Sequence, residues 1–87
     1  MKLLYFAWFR TKIGVAGESV ELPPEITTVG QLIPWLAARG PAYADALADP
    51  SIVRVAVNEE YARDDDAVSD GDEVALFPPV TGGNVRP

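Results

Sequence analysis

One segment alone carries a strong helical signal, and it sits between two groups of strand-like runs. In Thr28-Val29-Gly30-Gln31 the spacing fits a capping box, in which a threonine side chain and a glutamine three residues on satisfy each other's free backbone donors. Val29, Leu32, Ile33, Leu36 and Ala37 follow at helical intervals, and Gly40-Pro41 is a stop signal. Pro34 falls inside this helix, where proline normally costs about 3 kcal/mol and one hydrogen bond. The reading is therefore a kinked helix, or an irregular first turn after which Pro34 opens the regular part. Tyr43–Leu47 has the pattern of one further helical turn.

The flanking runs read as strands. Lys2–Phe9 (KLLYFAWF) is apolar on both alternating faces, the pattern of a strand buried on both sides near the middle of a sheet. Ser19–Leu22 alternates, and the glycines at 14 and 17 predict an antiparallel pairing of these first two segments across a loop. Ile52–Val57 puts Val53, Val55 and Val57 on one face. A short edge strand is expected in the polar stretch that follows, then a turn at Asp70-Gly71 and a last strand at Asp72–Phe77. Val74 and Leu76 point one way along it, Ala75 and Phe77 the other. Pro78-Pro79 ends it, because two missing N–H groups cannot extend a ladder. One helix of crossover length across one mixed sheet predicts an α+β domain of the β-grasp, ubiquitin-like kind. The expected division is a domain over residues 1–80 and a tail over 81–87, in a chain of 87 residues.

Composition narrows the chemistry. The sequence has no cysteine and no histidine, so thiolate nucleophiles, disulfides, the usual zinc ligands and the usual general base are missing. A net charge of −6 disfavours nucleic acid and favours a basic protein surface as partner. The longest apolar run, Leu3–Phe9, is too short to span a bilayer and lacks a cleavage site after it, which predicts a cytoplasmic protein with no membrane partner. The acidic residues Asp64, Asp65, Asp66, Asp70, Asp72 and Glu73 fail as a calcium loop. With Asp66 first, the third and twelfth positions would be Val68 and Phe77. They read as a solvated loop and turn. Among the aromatics, Phe6, Tyr61 and Phe77 are the ones expected on the sheet face that a single helix leaves open, although the pattern alone leaves core and surface roles equally open.

The end of the sequence is the sharpest functional signal. Gly82 and Gly83 have no Cβ and can pass through a channel too narrow for other residues. Extended, Pro78–Gly83 reaches roughly 20 Å past the last strand. Asp70–Gly83 (DGDEVALFPPVTGG) resembles the C-terminus of the small, sulfur-carrying subunits of molybdopterin synthase. Lys2–Gly14 and Val55–Tyr61 resemble the same family in order and spacing. That resemblance implies a carrier whose reactive group is the main-chain carboxylate itself. A carboxylate is ionised and a poor electrophile at neutral pH. In the family a partner adenylyltransferase, similar to ubiquitin-activating enzymes, uses ATP to adenylate the terminal glycine. Sulfur from a sulfurtransferase then replaces AMP, and the thiocarboxylate donates to cyclic pyranopterin monophosphate inside the large subunit.

By position, the resemblance makes Gly83 the acyl carrier, Gly82 the slim residue behind it, and Phe6, Tyr61, Phe77, Pro78, Pro79, Val80 and Thr81 the surface that meets the large subunit. It implies no stably bound cofactor, no metal and no catalysis by this chain alone. One feature departs from the family: Asn84-Val85-Arg86-Pro87 follows Gly83, and an amide cannot be adenylated. Proteolytic trimming, an artefact of the gene's end, or a homologue that kept only a binding role would each account for it. The alternatives to the molybdopterin pathway are a thiamine-type sulfur carrier and a ubiquitin-like interaction module.

Overall fold

The computed structural model describes residues 1–79. The chain runs β1 (Lys2–Tyr5), α1 (Ala7–Ile13), β2 (Gly17–Ser19), α2 (Val29–Ala37), α3 (Pro41–Ala46), a short 3-10 turn (Pro50–Ile52), β3 (Arg54–Val57), β4 (Glu60–Ala62) and β5 (Glu73–Phe77). The strands form one sheet in the order β2-β1-β5-β3-β4. β1 and β5 run parallel at its centre, and the other pairs are antiparallel. This is the α+β, β-grasp arrangement that the order of segments predicts.

Period-two alternation decides which side is core. Leu3 lies beside Val74, Tyr5 beside Leu76, and Val55 across from Leu76, all on one face. Together with Phe9, Val29, Leu32 and Leu36 from the helices they are buried. Burying such a side chain contributes about 1.5–3 kcal/mol each, so this single layer of contacts accounts for the fold's cohesion. α2 begins as its sequence dictates: the Thr28 side chain accepts from the Gln31 amide, and the Gln31 side chain accepts from the Thr28 amide in return. Pro34 sits within one nine-residue helix rather than opening a new one.

Three expectations need correction. Lys2–Phe9 is not one strand. β1 stops at Tyr5, Phe6 stays extended, and Ala7 takes a left-handed φ of 54° that turns the chain directly into α1. Burial of Phe9, with Trp8 and Ile13 packed against the core, outweighs the strand propensity of the aromatic run. The helix ends at Gly14, φ 96°, whose N–H donates to the Arg10 carbonyl at 2.8 Å. Arg10 and Lys12 in the last turn suit its dipole. The second correction follows: α1 joins the main helix α2 and the further turn expected at Tyr43–Leu47, which is α3, so the sheet carries one helix more than the sequence predicts, and Gly40-Pro41 both stops α2 and starts α3. The second strand also lies earlier than Ser19–Leu22, at Gly17–Ser19.

The β3–β4 hairpin closes through Asn58-Glu59, with φ of 51° and 71°. Both residues are left-handed, as a type I′ turn requires. Asn58 suits this position and also accepts from the Glu73 amide at 3.0 Å. Glu59 does not, since its Cβ is strained there. Glu59→Gly is expected to stabilise the domain by about 0.5–1 kcal/mol, the relief of left-handed strain less the added freedom of the unfolded chain. A urea melt reads this as a raised midpoint at constant slope; a lowered midpoint would contradict the turn assignment.

Candidate functional site

The face of the sheet away from the helices carries a separate set of side chains. Alternation sends Leu4, Ala56, Ala75 and Phe77 there, opposite to Val74 and Leu76. In register, Leu4 lies beside Ala75, Ala75 beside Ala56, and Ala56 beside Tyr61. The two alanines make a low strip across two strands, β3 and β5, bounded by larger groups. Lys2 and Glu73 pair at one end, 3.9 Å apart.

At the other end the aromatics gather. Tyr61 and Phe77 rings lie 5.7 Å apart, tilted by 44°. Phe6 donates its N–H to the Leu76 carbonyl, which continues the parallel ladder and puts it level with Phe77. Tyr61 is 78 % exposed and Phe6 49 %, while Phe77 is half-buried. Monomeric proteins seldom leave such groups contiguous on a surface without a partner to cover them. Arg54, directly across from Phe77, is exposed and donates to the Ser51 and Val53 carbonyls, which leaves a positive charge beside the cluster.

β5 leads out of this cluster. Pro78 and Pro79 follow Phe77 and are half-buried. Of the residues the sequence marks for function, Phe6, Tyr61, Phe77, Pro78 and Pro79 thus come together at one end of β5. Val80, Thr81, Gly82 and Gly83 lie outside the described residues. Sequence reading missed Leu4, Arg54 and the Ala56–Ala75 strip. Their signal was present in the same alternation that marks Phe77, but small residues draw no attention by themselves.

The acidic residues serve the turns. Asp72 accepts from the Asn58 side chain and the Ser69 amide, Asp70 from the Leu22 amide, and Asp66 from the Arg63 amide. These bonds, that from Asn58 foremost, hold the Asp72 carboxyl below its ordinary value; the Leu22 amide does the same for Asp70. No cluster among the described residues is arranged to hold a metal ion, and no described helix is long and apolar enough to cross a membrane.

Comparison with known proteins agrees with this geometry. Residues 3–83 match the ThiS family. The chain is 40 % identical over 83 residues to the molybdopterin synthase sulfur carrier subunit of Escherichia coli (strain K12), covering 95 % of this chain and 99 % of that protein. It is 40 % identical over 85 residues to the protein of the same name from Chlamydomonas reinhardtii, covering 95 % and 98 %. Among solved structures, SAMP1 from Haloferax volcanii superposes with a TM-score of 0.71 at 30 % identity, covering 95 % of this chain and 98 % of that one.

Proposed function

Since this chain belongs to the ThiS family, with the match running through Gly83, we infer that it is the sulfur-carrying subunit of a molybdopterin synthase and works in molybdenum cofactor biosynthesis. The observation that carries this reading is the placing of the open apolar face. Phe6, Phe77 and Tyr61 gather at the end of β5, the strand that Gly82-Gly83 follow in the sequence. Docking of that face on a large subunit would aim the tail into its active site. Four residues from Pro79 to Gly83 extend about 13 Å, enough to reach a buried centre, and the two glycines fit a channel that a Cβ would block.

The chemistry lies in the main chain. After removal of Asn84–Pro87, the Gly83 carboxylate is adenylated by an ATP-using partner similar to ubiquitin-activating enzymes. A sulfur nucleophile supplied by a sulfurtransferase displaces AMP and leaves a thiocarboxylate. Its sulfur passes to cyclic pyranopterin monophosphate within the large subunit, in the cytoplasm. The cations that stabilise charge during transfer belong to the partner, which fits the −6 charge of this chain. One observation favours a second reading, an interaction module without sulfur chemistry: the chain continues past the residue where the family match ends.

Intact-mass spectrometry of the protein purified from its own host separates the two. The expected result is a species ending at Gly83, part of it with one oxygen replaced by sulfur. Recovery of only the 87-residue chain from cells making the cofactor would leave the second reading.

A further inference from the structure

Among the described residues, the strands of the open sheet face carry three charged side chains, and one of them has no counter-charge. Alternation places Lys2, Glu73 and Arg54 on the side of Leu4, Ala75 and Ala56. Lys2 and Glu73 are register neighbours and pair at 3.9 Å, so their charges cancel at that end of the sheet. Arg54 stands at the other end, across from Phe77, and is exposed. It makes no ion pair among the described residues. Its Nη1 donates to the Ser51 and Val53 carbonyls at 3.1 and 3.3 Å. Those bonds tether one arm of the guanidinium. Its other edge, Nη2 and Nε, has no acceptor among the described residues.

The place of this charge gives it weight. Residues paired across antiparallel strands hold their Cβ atoms about 4.5–5.5 Å apart, so the arginine stem starts beside Phe77, whose ring lies 5.7 Å from that of Tyr61. Any partner that covers Phe6, Tyr61 and Phe77 also meets Arg54. A cation brought into such a contact without a counter-charge loses hydration with no compensating bond. The Ala56–Ala75 strip is low and apolar, and by itself gives a partner no preferred orientation. The chain as a whole carries −6, which suits a basic partner surface. Arg54 reverses that pattern at one point, and a wholly basic partner would repel it there.

Resting on the carrier reading above, we propose that Arg54 fixes the orientation in which this face docks, by pairing with one Asp or Glu carboxylate of the large subunit. Nη2 and Nε offer the two parallel donors that a carboxylate takes up. The carboxylate sits within an otherwise basic surface, so the pair forms in one orientation only. Half a turn of the face would bring the carboxylate to the Lys2–Glu73 end, where the charge is already cancelled.

Titration calorimetry and stopped-flow mixing of the full 87-residue chain with the large subunit of the same host provide the test. Arg54→Glu makes the chain more acidic, so long-range attraction to a basic surface alone would tighten binding and speed association. Local pairing demands the reverse, a loss in affinity of about 30-fold or more. Arg54→Gln is expected to lose about 10-fold, and Arg54→Lys less, since it keeps the charge but not the fork. One Asp→Arg or Glu→Arg change in the large subunit should weaken the wild-type complex and restore Arg54→Glu to within about threefold. Melting temperatures of the Arg54 variants should stay within about 3 °C of wild type, which separates docking from support of the Ser51–Val53 turn. Unchanged or tighter binding by Arg54→Glu overturns the proposal. So does a loss that no carboxylate reversal repairs, or one that a lowered melting temperature accounts for. A large subunit that binds the wild-type chain but ignores Arg54 leaves the carrier reading standing; one that does not bind the wild-type chain removes both.

Discussion

Replacing Glu18 with alanine is expected to destabilise the domain by about 2–3 kcal/mol and to lower its melting temperature by roughly 10–20 °C. Glu18 lies on β2, an edge strand of only three residues, and β1, α3 and the turn between α2 and α3 each send a side chain to its carboxylate. The hydroxyls of Tyr5 on β1 and Tyr43 on α3 each donate to Oε2 at 2.7 Å, and Arg39 reaches Oε1 at 3.3 Å. Arg39 is itself held over the rings of Trp35 and Tyr43 at 5.5 and 5.4 Å. Removing the carboxylate strands the phenol of Tyr5, which is 1 % exposed.

Acid should reduce this difference. Burial alone would raise the Glu18 carboxyl, but hydrogen bonds from Tyr43 and Tyr5 and the charge of Arg39 outweigh it, and the folded group lies below its ordinary 4.5. A depressed carboxyl contributes stability that is complete above the ordinary value and disappears as pH falls through the folded value. The gap between wild type and Glu18→Ala in urea melts should therefore hold from neutral pH to the ordinary value and narrow below it, because the protonated carboxyl still accepts from the tyrosines but loses its charge-assisted part. A gap under about 0.5 kcal/mol at neutral pH, the level of an ordinary surface substitution, would remove Glu18 as the hub; a gap that widened in acid would reverse the sign argued here.

Phe77→Asp is expected to weaken binding to the large subunit at least 30-fold, about 2 kcal/mol, with little effect on folding. Phe77 points away from the buried Val74 and Leu76, so its loss opens no core cavity. It does remove the ring that supports Tyr61 and puts an unpaired charge where an interface would exclude water. Calorimetric titration against the large subunit checks the affinity, and a thermal melt checks the fold. An affinity within about threefold of wild type would move the docking surface elsewhere.

Much of the architecture could be read from local chemistry. The Thr28–Gln31 capping box starts α2 where its residues demand, and the alternation of Val74 and Leu76 with Ala75 and Phe77 divides core from open face. Both depend on neighbours a few residues away. The break at Phe6-Ala7 does not. It depends on how Phe9 packs under a sheet assembled from distant strands, and nothing within Lys2–Phe9 distinguishes it from a longer strand. A better reading would have taken Arg10, Lys12 and Gly14 as a helix end rather than a loop. The Glu18 hub was hidden for the same reason: Tyr5, Glu18 and the neighbouring pair Arg39 and Tyr43 lie far apart in sequence and meet only once β2 and α3 are in place. The surface aromatics stand between these cases. Alternation marks Phe77, but only register brings Phe6 and Tyr61 to the same end of the sheet.

The parallel pairing of β1 with β5 has a consequence for biogenesis. The first strand's inner neighbour is the last strand, so a nascent polypeptide halted anywhere before Phe77 has a hole at the middle of its sheet. Such long-range pairings form late and leave strand edges open in the meantime. Truncated translation products would therefore lack both a finished body and the platform beside the exit strand, so only a ribosome that has read through to β5 yields a molecule able to compete for the synthase.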